Sequence, residues 1–318
     1  MIDDLRSANR LLLRAELRPL VGSTFQPTGF PDLGAAEFQR PGSEGRTDLL
    51  VESVQSMANH MESLGWDGPD HGPVETLTRL PYVEVVEDGG GFLTSSRLEP
   101  HRLASAYIKE AQIEGEKGTD WLTQRLGLQQ HRPTDWHAVY SALFELDPLC
   151  LLHGVFFSDP AWSDMGNPKV RRAITAVVEA HGAQRVVSGG LKRDDVQFSH
   201  ASEGRGAEEG YGFVPFGRTE YTAERIELSA AIDLSQIRGY GLSEDRTELL
   251  TLIALWELAT LLDEPLRLRT ACDLETTQLS VSRPADYDLP EPGALAERIT
   301  SLDPGTERAN PFTATWSD

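Results

Sequence analysis

The sequence predicts an α+β protein built around an antiparallel sheet. Strand-like and helix-like segments alternate along the 318 residues, but the helices are few and the segments between them are long. Hydrophobic residues make up 39% of the chain and charged residues 25%, as in ordinary globular proteins. This length is enough for a substantial buried core in one large domain with insertions.

The first predicted helix covers 48–64. Its apolar stripe, with spacings of four and three, consists of Leu50, Val54, Met57, Met61 and Leu64. The residues that fall away from this stripe are Ser53, Gln55, Ser56, Asn59 and His60. A polar face of hydroxyls and amides either packs against other protein or meets a ligand, and the sequence leaves both alternatives open.

A second unit begins after three consecutive glycines. Ser96 and Glu99, three residues apart, predict a capping box that opens a helix. Arg97 and His101 then share one side of this helix. A helix N-terminus beside Ser95, Ser96 and Arg97 would be a natural phosphate site, although most capped helices bind nothing.

The middle of the chain continues the alternation. The stretch 134–148 is typical of a helix, and 150–158 of a buried strand. Asn167 and Pro168 predict the start of another helix that ends before Gly182. A strand then follows at 184–190.

A long hairpin, or a flexible projection between strands, is predicted next. The polar, glycine-rich stretch 199–210 separates the strand-like stretches 211–216 and 220–234 from the strand before it. Ser243 starts an apolar helix to about Leu262, and 266–274 predicts the last strand. Residues 281–318, rich in proline and acidic residues, are expected to form a surface tail.

The formal charge of -21 limits the partners. Such a field repels nucleic acid in bulk, so a polyanion would have to meet a local basic surface. Between Asn167 and Arg193 the only acidic residue is Glu179. The basic residues of this segment are Lys169, Arg171, Arg172, Arg185, Lys192 and Arg193.

The stretch SGGLKRDDV (188–196) combines glycines with both charge signs. The glycines let another backbone come close to Lys192 and Arg193. Asp194 and Asp195 could instead hold a divalent cation for phosphodiester cleavage. Adjacent residues of an extended strand point to opposite faces, which disfavours one shared ion, so no metal site is predicted.

Other chemistries have no signature in the sequence. It contains no phosphate-binding loop, dinucleotide fingerprint, nucleophile elbow or paired metal-ligand motif, so no cofactor and no catalytic residue is predicted. Cys150 and Cys272 are expected to be buried free thiols of a cytoplasmic protein. The longest apolar run, 249–262, is too short for a bilayer, and no membrane partner is expected.

Seven stretches, in one order across 26–242, carry a resemblance to a known family. They are QPTGFPDLGAAEF (26–38), LLVESVQSMANHME (49–62), LTSSRLEPHRLASAYI (93–108), VFFSDPAW (155–162), SGGLKRDDV (188–196), GFVPFGRTEYTAE (212–224) and IRGYGL (237–242). In these stretches the sequence resembles the large backbone subunit of the type I-G (formerly I-U) CRISPR Cascade effector, a member of the RAMP superfamily.

The resemblance implies a palm like an RNA-recognition domain across 1–280, with a finger-like insertion at about 65–135 and a thumb-like insertion at about 197–220. It also implies a non-catalytic subunit that polymerises into a helical filament along the spacer of a CRISPR RNA. The guide would then pair with target DNA, and other Cascade subunits would complete the particle. A metal-dependent ribonuclease using Asp194 and Asp195 is the alternative, and an assembly protein without nucleic acid is a third.

Phosphate and sugar contacts plus shape suffice for such a subunit, because base pairing supplies the sequence specificity. Hydroxyls, amides and a few cations can provide those contacts. The residues predicted to bind RNA are Ser53, Gln55, Ser56, Asn59, His60, Ser95, Ser96, Arg97, His101, Arg102, Arg171, Arg172, Lys192 and Arg193.

Overall fold

The computed structural model describes residues 2–30, 33–158, 160–193, 213–285, 287–306 and 311–317. Within these ranges the largest sheet has seven strands, and each neighbouring pair is antiparallel. This main sheet runs, in spatial order, through β18 (Leu266–Arg269), β19 (Cys272–Arg283), β1 (Leu11–Pro19), β17 (Arg225–Ile232), β14 (Ile174–His181), β5 (Asp48–Glu52) and β4 (Glu37–Phe38).

The helices are mostly short. In the described ranges they are α1 (Asp3–Arg6), α2 (Val54–Ser63), α3 (Ala106–Glu110), α4 (Gly118–Arg125), α5 (Trp136–Leu146), α6 (Leu149–His153), α7 (Leu234–Gly239), α8 (Glu244–Asp263) and α9 (Pro292–Ser301). The same described ranges contain three 3-10 turns, at Glu75–Leu77, Arg102–Ala104 and Pro160–Met165. No helix in the described part of the chain combines the length and apolarity needed to cross a membrane.

The connections of the main sheet follow a known motif. Chain order β1-α2-β14-β17-α8-β19, with spatial order β19-β1-β17-β14, is the split β-α-β-β-α-β arrangement of ferredoxin-like and RNA-recognition domains. The prediction of an α+β fold with an RNA-recognition-like antiparallel core is therefore confirmed.

The two faces of the main sheet differ. Strand β1 alternates strictly, with Leu13 and Ala15 buried and Arg14 and Glu16 exposed. Helices α2 and α8 contact each other, and they pack against β14 and β19. They cover the apolar face, because a sheet must bury its hydrophobic side, and leave the other face open.

A second sheet has five strands. Four of them lie in the long insertion between α2 and β14, and the fifth, Phe312–Trp316, comes from much later in the chain. Its strands, in spatial order, are β11 (Glu116–Lys117), β10 (Gln112–Ile113), β20 (Phe312–Trp316), β8 (Val83–Glu87) and β9 (Phe92–Ser95). β20 pairs in parallel with β8, and α9 packs on α8. The stretch expected to be a surface tail thus contributes a helix and a central strand.

The remaining strands form two-stranded pairs. They are β2 (Gly29–Phe30) with β3 (Gly34–Ala35), β6 (Trp66–Asp67) with β7 (Gly72–Pro73), β12 (Val155–Phe156) with β13 (Lys169–Val170), and β15 (Gln184–Arg193) with β16 (Phe213–Thr222). The β15–β16 ribbon joins β14 to β17, as the predicted hairpin requires. The expected thumb-like insertion falls mostly outside the described residues.

One predicted helix is replaced by strands in the structure, and another begins later than predicted. Asn167 has a left-handed backbone and ends a turn, and the chain from Ile174 forms β14 between β5 and β17. Its β-branched residues favour a strand, and this outweighs the cap pattern. Likewise, the first part of 48–64 is strand β5, and the helix starts only after Ser53, whose hydroxyl accepts from Ser56 N.

Two other predictions were wrong in element type. Residues 149–153 form helix α6 rather than a strand; all five are buried, so no periodicity distinguished the two states. Ser96 does not cap a helix, because the cap of α3 is Ser105, whose hydroxyl accepts from Ile108 N. Both cysteines are free and buried, as predicted. The predicted helix beginning at Ser243 is confirmed as α8.

Candidate nucleic-acid interface

A cleft with a cavity of about 480 Å³ opens where α2, the β12–β13 pair and the turn before α3 meet. We call it the basic cleft. The side chains that give it its chemistry are Gln55, His101, Phe156, Lys169, Arg171 and Arg172. Five of the residues predicted from sequence to bind RNA, Gln55, His101, Arg102, Arg171 and Arg172, thus come together from three separate parts of the chain.

The wall of the basic cleft is fixed by a buried ion pair. Arg102 donates two hydrogen bonds to the Glu62 carboxylate, at 2.6 and 2.5 Å, and a third to the Gly154 carbonyl at 3.0 Å. Its backbone is left-handed, with φ of 53°, which is uncommon for a residue other than glycine. Arg102 therefore directs three of its five N–H donors to protein partners and holds the cleft in shape.

Gly154 allows the floor of the cleft to form. Its φ is +80°, and a Cβ there would lie 2.8 Å from the Val170 carbonyl oxygen. Only glycine tolerates both the conformation and the close approach. The chain can therefore turn directly from α6 into β12 against the segment that carries Arg171 and Arg172.

Within the described part of the chain, the cations of the basic cleft lack acidic partners. Among the described residues, no carboxylate lies within ion-pair distance of Lys169, Arg171 or Arg172. Arg172 donates to the Gln55 side-chain oxygen, and its buried Nε has no partner in the described part of the chain. Burial, together with the like charge of Arg102, lowers the pKa of Arg172. An anion would relieve both the unpaired donor and the unbalanced charge.

The cleft continues onto the open face of the main sheet. A shallower cavity of about 230 Å³ there shares Val54 and Thr175 with the basic cleft and includes Arg14. On β1, β14 and β17 the open face carries no aromatic side chain. RNA-recognition domains that stack bases on their sheet use aromatic residues there, so this face is suited to backbone contacts instead.

The polar face of α2 lies beside this surface. Gln55 and Asn59 are exposed and hydrogen-bonded to each other at 3.4 Å. Ser53 and Ser56 are half-buried at the start of the helix. His60 is half-buried, and its burial lowers its pKa, so its ring is predominantly neutral near pH 7.

Ser95, Ser96 and Arg97 lie in the interior, with 0%, 0% and 4% exposure. The Ser96 hydroxyl donates to Asp147 at 2.6 Å. Arg97 donates to the Leu80 carbonyl oxygen and lies over the Tyr82 ring. These three side chains join the second sheet to the helices behind it and present no surface to a nucleic acid in this conformation.

Lys192 and Arg193 end strand β15 and are in register with Val214 and Phe213 of β16. Packing within the ribbon explains the glycine at position 190. A Cβ on Gly190 would lie only 2.8 Å from the Phe216 ring on the opposite strand. Asp194 and Asp195 lie outside the described residues. Within the described part, no three His, Cys, Asp or Glu side chains are grouped closely enough to hold a metal.

A second groove, of about 550 Å³, lies at the base of the ribbon. This ribbon-base groove also has three arginines, but each one is paired. Arg185 pairs with Glu37 at 2.8 Å, Arg218 pairs with Glu220 at 3.1 Å, and Arg269 pairs with Glu52. Hydrogen bonds from Tyr221 and Arg185 lower the pKa of Glu37, which keeps its carboxylate charged.

The list of predicted residues omitted two members of the basic cleft. Phe156 is 45% exposed at its mouth, and the Lys169 ammonium lies 5.1 Å from the centre of its ring. Lys169 belonged to the basic segment recognised in the sequence. Phe156 had no such signal, because two adjacent phenylalanines were assigned to a buried strand.

The fold and the cleft together define an α+β protein with an RNA-recognition-type core and a cationic cleft that has no carboxylate partner among the described residues. Among families of known proteins, the chain belongs to that described as CRISPR-associated protein GSU0053, whose model matches residues 11–185, more than half of its length. No curated protein matches the sequence.

Several solved structures share a similar backbone at low sequence identity. A chain of a "CRISPR RNA-guided surveillance complex, pre-nicking" has 10% identity and a TM-score of 0.44, covering 91% of this chain and 84% of its own. A chain of a "CRISPR RNA-guided surveillance complex" has 12% identity and a TM-score of 0.38, covering 90% and 74%. Csc2 of Thermofilum pendens has 11% identity and a TM-score of 0.33, covering 94% and 76%.

Proposed function

We propose that this protein binds the backbone of a CRISPR RNA in its basic cleft and along the adjoining open sheet face. One observation carries the proposal: in a chain of net charge -21, the cleft gathers three cations that no described carboxylate neutralises. Phosphates are the natural counter-charge, and guanidinium groups bind them with good geometry.

The open sheet face extends this site beyond one or two phosphates. Its polar side chains Thr175, Ser229 and Ser282 lie among apolar residues, and Arg14 there is paired with Glu227 at 3.8 Å. The hydroxyl groups can contact sugars and phosphates without selecting bases. This suits a protein whose RNA must leave its bases free for pairing. Target DNA is then met through the guide rather than through the protein.

The CRISPR-associated family and the resemblance of seven stretches to type I-G backbone subunits support a wider role. We infer that copies of the chain assemble along the guide as a helical filament and contact other Cascade subunits. The role is binding rather than catalysis, since the cleft offers cations, an amide and an aromatic ring that can hold an RNA backbone.

The test is co-expression with a CRISPR RNA followed by size exclusion with light scattering and ultraviolet absorbance. The parent is expected as a large particle that contains RNA. The variant Arg171→Ala with Arg172→Ala is expected to lose RNA and mass, whereas Arg185→Ala with Arg218→Ala, which removes the same charge from the ribbon-base groove, keeps both. An RNA-free monomer of the parent would contradict the proposal.

The same particle tests the absence of catalysis. Incubation with Mg²⁺ or Mn²⁺ is expected to leave guide and target RNA intact. Metal-dependent cleavage that disappears on Asp194→Ala or Asp195→Ala would establish the ribonuclease alternative instead.

A further inference from the structure

Two neighbouring phenylalanines, Phe156 at the end of β12 and Phe157 directly after it, have opposite environments. Phe157 is fully buried, and its ring meets the Trp162 ring edge-to-face at 5.1 Å. Because adjacent residues of a strand point to opposite sides, Phe156 is turned outward into the basic cleft, where it is 45% exposed. The pairing of Phe156 with Lys169 across the β12–β13 hairpin fixes this direction.

Three other aromatic side chains of the described chain are exposed, and one of them, Phe216, has its ring against Gly190 of the β15–β16 ribbon. Tyr107 packs edge-on against Trp316, with ring centres 5.0 Å apart, and Trp136 packs against Tyr140 at 5.7 Å. Phe156 has no aromatic neighbour among the described residues, and its only ring contact there is the Lys169 ammonium. Its ring is therefore available to another flat group.

The surroundings of Phe156 fit a nucleotide. The cations Arg171 and Arg172 of the same cleft carry no described carboxylate partner, and His101 and Gln55 supply further polar atoms. Stacking on an aromatic ring beside a cationic track is how proteins hold single-stranded nucleic acid without reading its sequence. The open sheet face has no Phe, Tyr or Trp side chain on β1, β14 or β17, so these strands offer no ring on which a base could stack.

We propose that Phe156 stacks against one unpaired base of a single-stranded RNA while Arg171 and Arg172 hold the adjoining phosphates. The inference deepens the proposed function and rests on it. It adds a base contact to a site otherwise defined by backbone contacts, and it marks one nucleotide per protomer as unavailable for pairing. Any base can occupy the position, because every base presents a flat π-face.

The test measures affinity for a fluorescein-labelled single-stranded RNA of mixed sequence by anisotropy, over a range of salt concentrations. Phe156→Ala and Phe156→Leu are each expected to weaken binding roughly tenfold without changing the salt dependence, since stacking releases no counterions. Phe156→Trp is expected to retain or improve the affinity. The matched control Tyr107→Ala, an exposed aromatic outside the cleft, is expected to bind like the parent.

A second readout uses the unaltered protein. Photo-crosslinking to RNA that contains 5-iodouridine, with mass spectrometry of the adduct, is expected to identify Phe156. If the Phe156 variants bind like the parent and no adduct maps to Phe156, while Arg171→Ala with Arg172→Ala abolishes binding, the stacking inference fails and the proposed function stands. If the arginine variant also binds like the parent, both fail.

Discussion

The basic cleft and the ribbon-base groove each present three cations, yet their electrostatics differ. In the groove, Arg185 is matched by Glu37, and the other two arginines also have carboxylates at ion-pair distance. In the cleft, no described carboxylate lies within that distance of Lys169, Arg171 or Arg172. A count of basic residues does not distinguish the two sites, whereas a count of their acidic partners does. A cation without a carboxylate partner attracts an external anion strongly. For a paired cation, the neighbouring carboxylate cancels most of that attraction.

The largest expected effect is a loss of stability on removing Arg102, which supports the wall of the cleft rather than its binding surface. Arg102→Ala would leave the buried Glu62 carboxylate without its partner, which costs about 3–5 kcal/mol of unfolding free energy. The matched change in the groove, Arg218→Ala, breaks a partly exposed pair and costs less than about 1 kcal/mol. Urea denaturation of both variants measures the difference. Equal, small losses would show that Arg102 does not support the wall.

A smaller effect is expected from making the groove resemble the cleft. Glu37→Gln keeps an acceptor for the Tyr221 hydroxyl but frees Arg185 from its counter-charge. RNA affinity at low salt should rise roughly two- to fivefold, as expected for one added phosphate contact, and the gain should fade as salt increases. Glu264→Gln, an exposed carboxylate outside the groove lining, is the control. If both variants gain equally, net charge rather than pairing determines binding.

The smallest effect is a pH dependence of stability behind the cleft. Burial disfavours the charged ring of His153, but Glu257, 3.0 Å from its Nε2, and Glu62 outweigh this and raise its pKa. A raised folded-state pKa gives stability that is complete below the ordinary value of 6.5 and is lost as pH rises through the folded value. Urea denaturation at about pH 6 and about pH 9 should therefore show a decline that His153→Gln reduces. An identical decline in both proteins would mean that another group causes it.

The sequence predicted the fold well where patterns were strong. The apolar helix after Ser243 and the hairpin around the ribbon follow from periodicity and turn residues, and the seven matching stretches indicated the core topology. Prediction failed where burial removed periodicity, as at 149–153, or where strand pairing between distant segments decided the element, as at Ile174. No local pattern encodes either effect.

The sequence predicted the basic residues of the candidate site but not which of them lie together in the folded chain. Charge counting found the segment 167–193, but its cations separate into the cleft, the groove and the ribbon only when the chain folds. The capping pattern at Ser96 also suggested exposure, whereas Asp147, 51 positions away, accepts its hydroxyl hydrogen bond in the interior. Phe156 is exposed because its neighbour Phe157 is buried, which depends on tertiary packing alone.

The most direct test of the central claim is the salt dependence of single-stranded RNA binding for two charge-matched double variants. Arg171→Ala with Arg172→Ala is expected to weaken binding at least about tenfold at low salt and to reduce the slope of log K against log salt by about 1.4, or about 0.7 per lost phosphate contact. Arg185→Ala with Arg218→Ala is expected to leave both quantities nearly unchanged. Equal losses from the two variants, or a larger loss from the groove variant, would contradict the account.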